Sequence, residues 1–135
     1  MPNVSFVLNP LVSPQAICDL RESVGWDRSE KDYPAALQGY WATVGGFDPA
    51  NKLVAWCAIL SDGVRHAVLL DVIVHPSYQR KGVGKALVAT TVEHIRAYGI
   101  TIIHVDFEPE TMAFYKACGF RVGLGGITEI IEKKG

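Results

Sequence analysis

The sequence lacks paired cysteines, metal-ligand spacings, any excess of one charge, and apolar runs long enough to span a bilayer. Each absence removes a class of protein. Cys18, Cys57 and Cys118 are odd in number and far apart, with no CxxC; they read as reduced, mostly buried thiols in a cytoplasmic protein. His66, His75, His94 and His104 form neither HxxxH nor HExxH, so no metal is expected. A formal net charge of −1 argues against a general nucleic-acid binder, while leaving room for a local basic pocket. No apolar run approaches the ~20 residues of a membrane span. The N-terminus, MPNVSFVLNP, has no basic start and no apolar core of a secretory signal. Repeats, low-complexity tracts and linkers are also missing, so one domain over residues 1–135 is expected.

What is present is an ordinary globular composition, 49% hydrophobic and 20% charged, in a chain long enough to bury a core. Val4 to Leu8 reads as a short strand. Ser13 and Pro14 then open a helix with Ile17, Leu20 and Val24 on one face and Gly25 as its stop. The segment DRSEKDYPAALQG is polar, then weakly helical. YWATVGGF and KLVAWCAILSDG bracket the turn-rich DPAN and predict an antiparallel hairpin. HAVLLDVIV is nearly all apolar, as expected of a strand buried on both faces. A helix is predicted over Val83 to Tyr98, with Val83, Leu87, Val88, Thr91, Val92 and Ile95 inward and Gly99 as its stop. ITIIHVDF is a further strand, ETMAFYKACG a helix, and GITEIIEKK a candidate edge strand. This order implies an α/β fold on a mixed, largely antiparallel sheet with one parallel crossover around a glycine turn.

That turn, VHPSYQRKGVGKALV, carries the chemistry. Helix N-termini leave backbone N–H groups unpaired and carry partial positive charge, so they favour anions. Gly82 and Gly84 admit a ligand close to the backbone, and Arg80, Lys81 and Lys85 add cations, which suits a diphosphate. It is not a Walker loop, because Gln79 stands where the first glycine belongs and Ala86 replaces the metal-binding hydroxyl. It is not a dinucleotide fingerprint either, since Leu87 holds the third glycine position. A nucleic-acid contact would rest on one local cluster of three cations, which is too little.

The run Gln79-Arg80-Lys81-Gly82-Val83-Gly84 satisfies [QR]-x-x-G-x-[GA], and FYKACGF at Phe114 to Phe120 satisfies FYxxxGF. In both, and in the strand between them, the chain resembles the GCN5-related N-acetyltransferase (GNAT) superfamily over roughly Leu69 to Phe120. The resemblance implies a GNAT-like mixed, mostly antiparallel sheet flanked by helices, and an acetyl-CoA-dependent transfer to a small-molecule or peptide amine. Direct attack in a ternary complex is implied, with no metal, acyl-cysteine, nucleic acid or membrane. Val72, Ile73 and Val74 would pair with the pantetheine amides. Gln79 to Lys85, with Val83 among them, would hold the pyrophosphate, and Tyr115 would protonate the departing thiolate.

Relatives often carry Asn seven residues before that tyrosine; here Glu108 stands there. A general base must take the amine proton, and Glu108 and Asp71 are the candidates. Asp71 interrupts an apolar strand and has a structural ion pair as its other reading. Tyr115 has core packing as its other reading. Trp26, Tyr33, Tyr40, Trp41 and Trp56 are expected to pack in the core, although arylalkylamine- and serotonin-type members have aromatic pockets. A non-catalytic acyl-CoA-binding module is the alternative function. The short tail after Phe120 leaves room for a homodimer in which a second subunit completes the sheet edge.

Overall fold

The computed structural model describes residues 1–130 and divides into two units, Met1–Val105 and the residues from Asp106 onward. In the first unit the elements are β1 (Ser5–Leu8), α1 (Pro14–Ser23), α2 (Tyr33–Gly39), β2 (Ala42–Phe47), β3 (Leu53–Ser61), β4 (His66–Val74), α3 (Val83–Ala97) and β5 (Ile102–Val105). They build one sheet in the order β1-β2-β3-β4-β5. All neighbours are antiparallel except β4 and β5, which are parallel and joined through α3. The second unit holds a 3-10 turn at Pro109–Thr111 and α4 (Met112–Ala117).

Local chemistry explains most boundaries. The Ser13 hydroxyl accepts from Ala16 N–H at 3.2 Å, and Pro14 occupies the first turn, where no N–H partner is lost. The β2–β3 turn closes on Asp48, which accepts from Lys52 N–H through its side chain at 2.9 Å. The β3–β4 turn closes on Asp62, whose Oδ1 accepts from the N–H groups of Val64, Arg65 and His66. These backbone donors hold that carboxyl down at about 2.

Successive residues of β3 point to opposite faces, and each face meets its own helices. Trp56 joins Ile17, Cys18, Leu20 and Tyr33 of α1 and α2, together with Leu53 and Ile73. Cys57 instead meets Thr91 of α3, and burial pushes its thiol up to about 12 against the opposing hydrogen bond. Val83, Leu87, Val88, Thr91 and Ile95 form the buried face of α3, while Val92 is half-buried. Each fully buried large aliphatic or aromatic side chain contributes roughly 1.5–3 kcal/mol relative to exposure.

Three expectations change. In β4 only Ala67, Leu69 and Ile73 are buried, and Val68, Leu70, Asp71, Val72 and Val74 are half-buried. The strand runs beyond its β5 partner, so its second half is not covered on both sides. Residues 121–130 form no strand and are exposed, so the predicted edge strand is absent there, and its remainder lies outside the described residues. Of the aromatics, Tyr33 and Trp56 are core residues, but Trp26 is 42% exposed.

Gly46 of β2 lies where the sheet has no room. A Cβ there would sit 2.9 Å from the Ala55 Cβ and 3.1 Å from the Phe6 and Val4 side chains. Ala55 cannot rotate away, because its Cβ is fixed to the β3 backbone. Gly46→Ala should therefore destabilise the protein by about 1–3 kcal/mol, as overpacking does. A melting temperature within 1 °C or so of wild type would show that the strands separate at little cost.

Candidate active site

Pairing between β4 and β5 ends at Leu69 and Val105. Leu70 to Val74 therefore continue as a strand with no β5 partner, paired only with β3 among the described strands. Just there β4 bulges. Ala58 pairs with Leu70 and Trp56 with Ile73, two steps on β3 against three on β4. The extra residue falls at Asp71, whose φ of +51° is left-handed although it is not glycine. A bulge bends its strand and re-aims the residues after it, here Val72, Ile73 and Val74.

The strand leads into the glycine turn. His75 Nδ1 accepts from Ser77 N–H at 3.1 Å, and Gln79 Nε2 donates to Val74 C=O at 2.9 Å, folding the loop back on the strand end. Lys81 Nζ donates to Ser77 C=O at 3.1 Å. Arg80 (φ +59°) and Gly82 (φ +86°) are both left-handed, and Gly82 caps α3 with no side-chain bond to the first turn. The first closing bond runs from Ala86 N–H to Gly82 C=O at 3.1 Å. The N–H groups of Val83, Gly84 and Lys85 are thus left without helical acceptors, the arrangement that binds oxyanions. Arg80 and Lys85 are exposed and form no ion pair among the described residues.

In the second unit Glu108 is exposed, and its backbone C=O accepts from Thr111 N–H at 3.0 Å and Thr111 Oγ1 at 3.1 Å. Tyr115 is buried in α4. Its ring stacks on Phe107 at 5.0 Å and meets Phe114 and Phe120 edge-on at 5.0 and 5.8 Å. The FYxxxGF residues thus form an aromatic cluster around the tyrosine.

A strand with an open edge that runs into an uncapped helix, with cations at the turn, suits a ligand carrying amides and a diphosphate. Residues 13–120 match the sequence profile described as the acetyltransferase (GNAT) family. The chain belongs to that family. It is 31% identical over 129 residues to an uncharacterized N-acetyltransferase, ycf52, of Gracilaria tenuistipitata var. liui, covering 93% of this chain and 71% of that protein. It is 35% identical over 80 residues to serotonin N-acetyltransferase 2, chloroplastic, of Oryza sativa subsp. japonica, covering 59% of this chain and 40% of the rice protein. The fold matches that of AAC(6')-Iy in complex with a bisubstrate analogue, CoA-S-monomethyl-acetylneamine. There the TM-score is 0.77 at 15% identity, over 97% of this chain and 99% of that one.

Within this GNAT fold, Val72 to Val74 end β4, and Gln79 to Lys85 form the turn and the start of α3. Asp71 is not a solitary carboxylate. Arg21 Nη1 donates to its Oδ2 at 2.8 Å, from a helix fifty positions earlier in the chain. Arg21 carries no motif, and only the packing of α1 on β4 brings it there. No helix among the described residues is long and apolar enough to cross a membrane, and among them no group of three or more metal-ligating side chains forms.

Proposed function

We propose that this chain transfers an acetyl group from acetyl-CoA to a primary amine of a small molecule or peptide, by direct attack in a ternary complex. The observation that carries this reading is the open β4 edge continuing into the uncapped start of α3. Backbone groups of Val72 to Val74 would pair with the pantetheine amides as an added strand does. The N–H groups of Val83, Gly84 and Lys85 would hold the pyrophosphate, with Arg80 and Lys85 supplying charge and Gln79 and Lys81 bracing the turn. Tyr115, on the strength of its motif, would protonate the leaving thiolate.

For the general base, Glu108 is preferred to Asp71. Asp71 is engaged by a guanidinium, whereas the Glu108 carboxylate is exposed and can take a proton through water. The chloroplastic rice relative supports a plastid in place of the cytoplasm and keeps aromatic amines among the acceptors to try. β5 is the last strand of the sheet among the described residues, which keeps a homodimer at that edge part of the reading.

Acetyl-CoA at a hundred times its Kd should stabilise the protein by about 2.7 kcal/mol, and pantetheine, which lacks the pyrophosphate, by much less. Equal shifts in melting temperature would remove the anion site at α3. CoA release measured across an amine panel then separates enzyme from acyl-CoA-binding module. Cofactor binding with no release on any amine favours the module, which the engagement of Asp71 also allows.

A further inference from the structure

Arg21 has partners on three separate segments of the first unit, and no part of the proposed transfer uses it. Nη1 reaches Asp71 Oδ2 at 2.8 Å, and Nε donates to Asp27 C=O at 2.7 Å. The guanidinium carbon lies 5.4 Å from the Trp26 ring centroid and 5.6 Å from that of Tyr33. One planar cation therefore holds three things together: the bulge of β4, the connection after α1, and the first residue of α2. The paired side chains are only 15% and 21% exposed, so solvent screens this contact less than a surface ion pair.

Asp71 is where that contact has mechanical consequence. Its left-handed φ is uncommon outside glycine, though aspartate tolerates it better than most residues. A carboxylate in this conformation points where the guanidinium can reach it, so the ion pair favours the bulged form of β4 over a regular ladder. The bulge in turn aims Val72 to Val74.

We infer that Arg21 is a positioning residue that latches the β4 bulge to the Trp26–Tyr33 segment, so that the cofactor-facing strand edge and this segment order together. Coupling of this kind lets occupancy at one segment be felt at the other through a shared, discrete contact. The functional half of the inference rests on the acetyl-transfer reading; the structural half does not.

The test uses the full chain with Arg21→Met, Arg21→Lys, Asp71→Asn and the double variant Arg21→Met/Asp71→Asn. Leu20→Ala, a buried neighbour on α1, serves as a control for general destabilisation. Hydrogen exchange on the ligand-free protein should show the bonded amides of Trp26, Ser29 and Asp32, and that of His75 at the end of the bulged strand, accelerating together, at least tenfold, in Arg21→Met. Amides of the buried face of α3 should keep their rates. Arg21→Lys should fail to restore both segments, because an ammonium cannot make the two divergent bonds or stack on two rings. The double variant should be no worse than Arg21→Met alone, as expected of partners in one contact. Acetyl-CoA affinity should fall at least fivefold in Arg21→Met and hold within twofold in Leu20→Ala.

Acceleration at only one segment, additive effects in the double variant, or equal affinity losses in Arg21→Met and Leu20→Ala would each overturn the latch. If the wild-type protein bound no acetyl-CoA, the transfer reading would fall, and hydrogen exchange would still decide the latch.

Discussion

Gly82→Val should bind acetyl-CoA at least tenfold more weakly while remaining folded. The reason is backbone conformation. At φ +86° a β-branched residue is strained by of order 1–3 kcal/mol, and relief comes from rotating the turn toward ordinary φ. That rotation tips the N–H groups of Val83, Gly84 and Lys85 away from their common focus. Crowding contributes little, since a Cβ at Gly82 would meet only the Met1 side chain, at 3.9 Å.

A matched control exists at the other end of the same helix. Gly99 has φ +85°, and a Cβ there meets nothing within 4 Å. Gly99→Val carries the same kind of strain far from the proposed anion site, so it should lower the melting temperature by a comparable amount and leave affinity intact. Calorimetric titration of both variants decides the matter. Equal affinities would mean that the start of α3 is a turn and not a phosphate cradle.

Tyr115→Phe should lower kcat at least tenfold, about 1.4 kcal/mol, with acetyl-CoA affinity within twofold of wild type. A positioned acid is typically worth 10²–10⁴-fold when a poor leaving group departs, and the substitution deletes only the hydroxyl. The contacts of the ring with Phe107, Phe114 and Phe120 are preserved, so a fall in kcat would not reflect lost packing. The deficit should be the same for every amine, because the proton goes to the cofactor thiolate common to all turnovers. Unchanged kcat, under conditions where chemistry limits the rate, would leave Tyr115 as a core aromatic and assign the proton to solvent.

The parts of this protein that local chemistry dictates were legible in the sequence. Ser13 and Pro14 announce α1, the apolar spacing of Val83 to Ile95 announces α3, and DPAN announces the β2–β3 hairpin. Each depends on a periodicity or a cap that operates within a few residues. The residues of the proposed anion site are contiguous too, with glycines, cations and a helix start running from Gln79 to Lys85. The family resemblance was also readable, since both motifs are short and their spacing is set by one strand and one helix.

The features that escaped depend on residues far apart in the chain. A last strand over GITEIIEKK has the right composition, yet none forms over residues 126–130; strand propensity registers only when a neighbour pairs with it. The aromatic residues of the first half divide between core and surface, Trp56 fully buried and Trp26 partly exposed, and side-chain type alone does not distinguish them. Asp71 was visible as an acid in an apolar strand, a feature that fits a base and an ion pair equally well. Its left-handed backbone, the bulge and the guanidinium of Arg21 were not visible. They arise when α1 packs across β4, where burial makes an unpartnered carboxylate costly and selects a cation that the fold brings within reach.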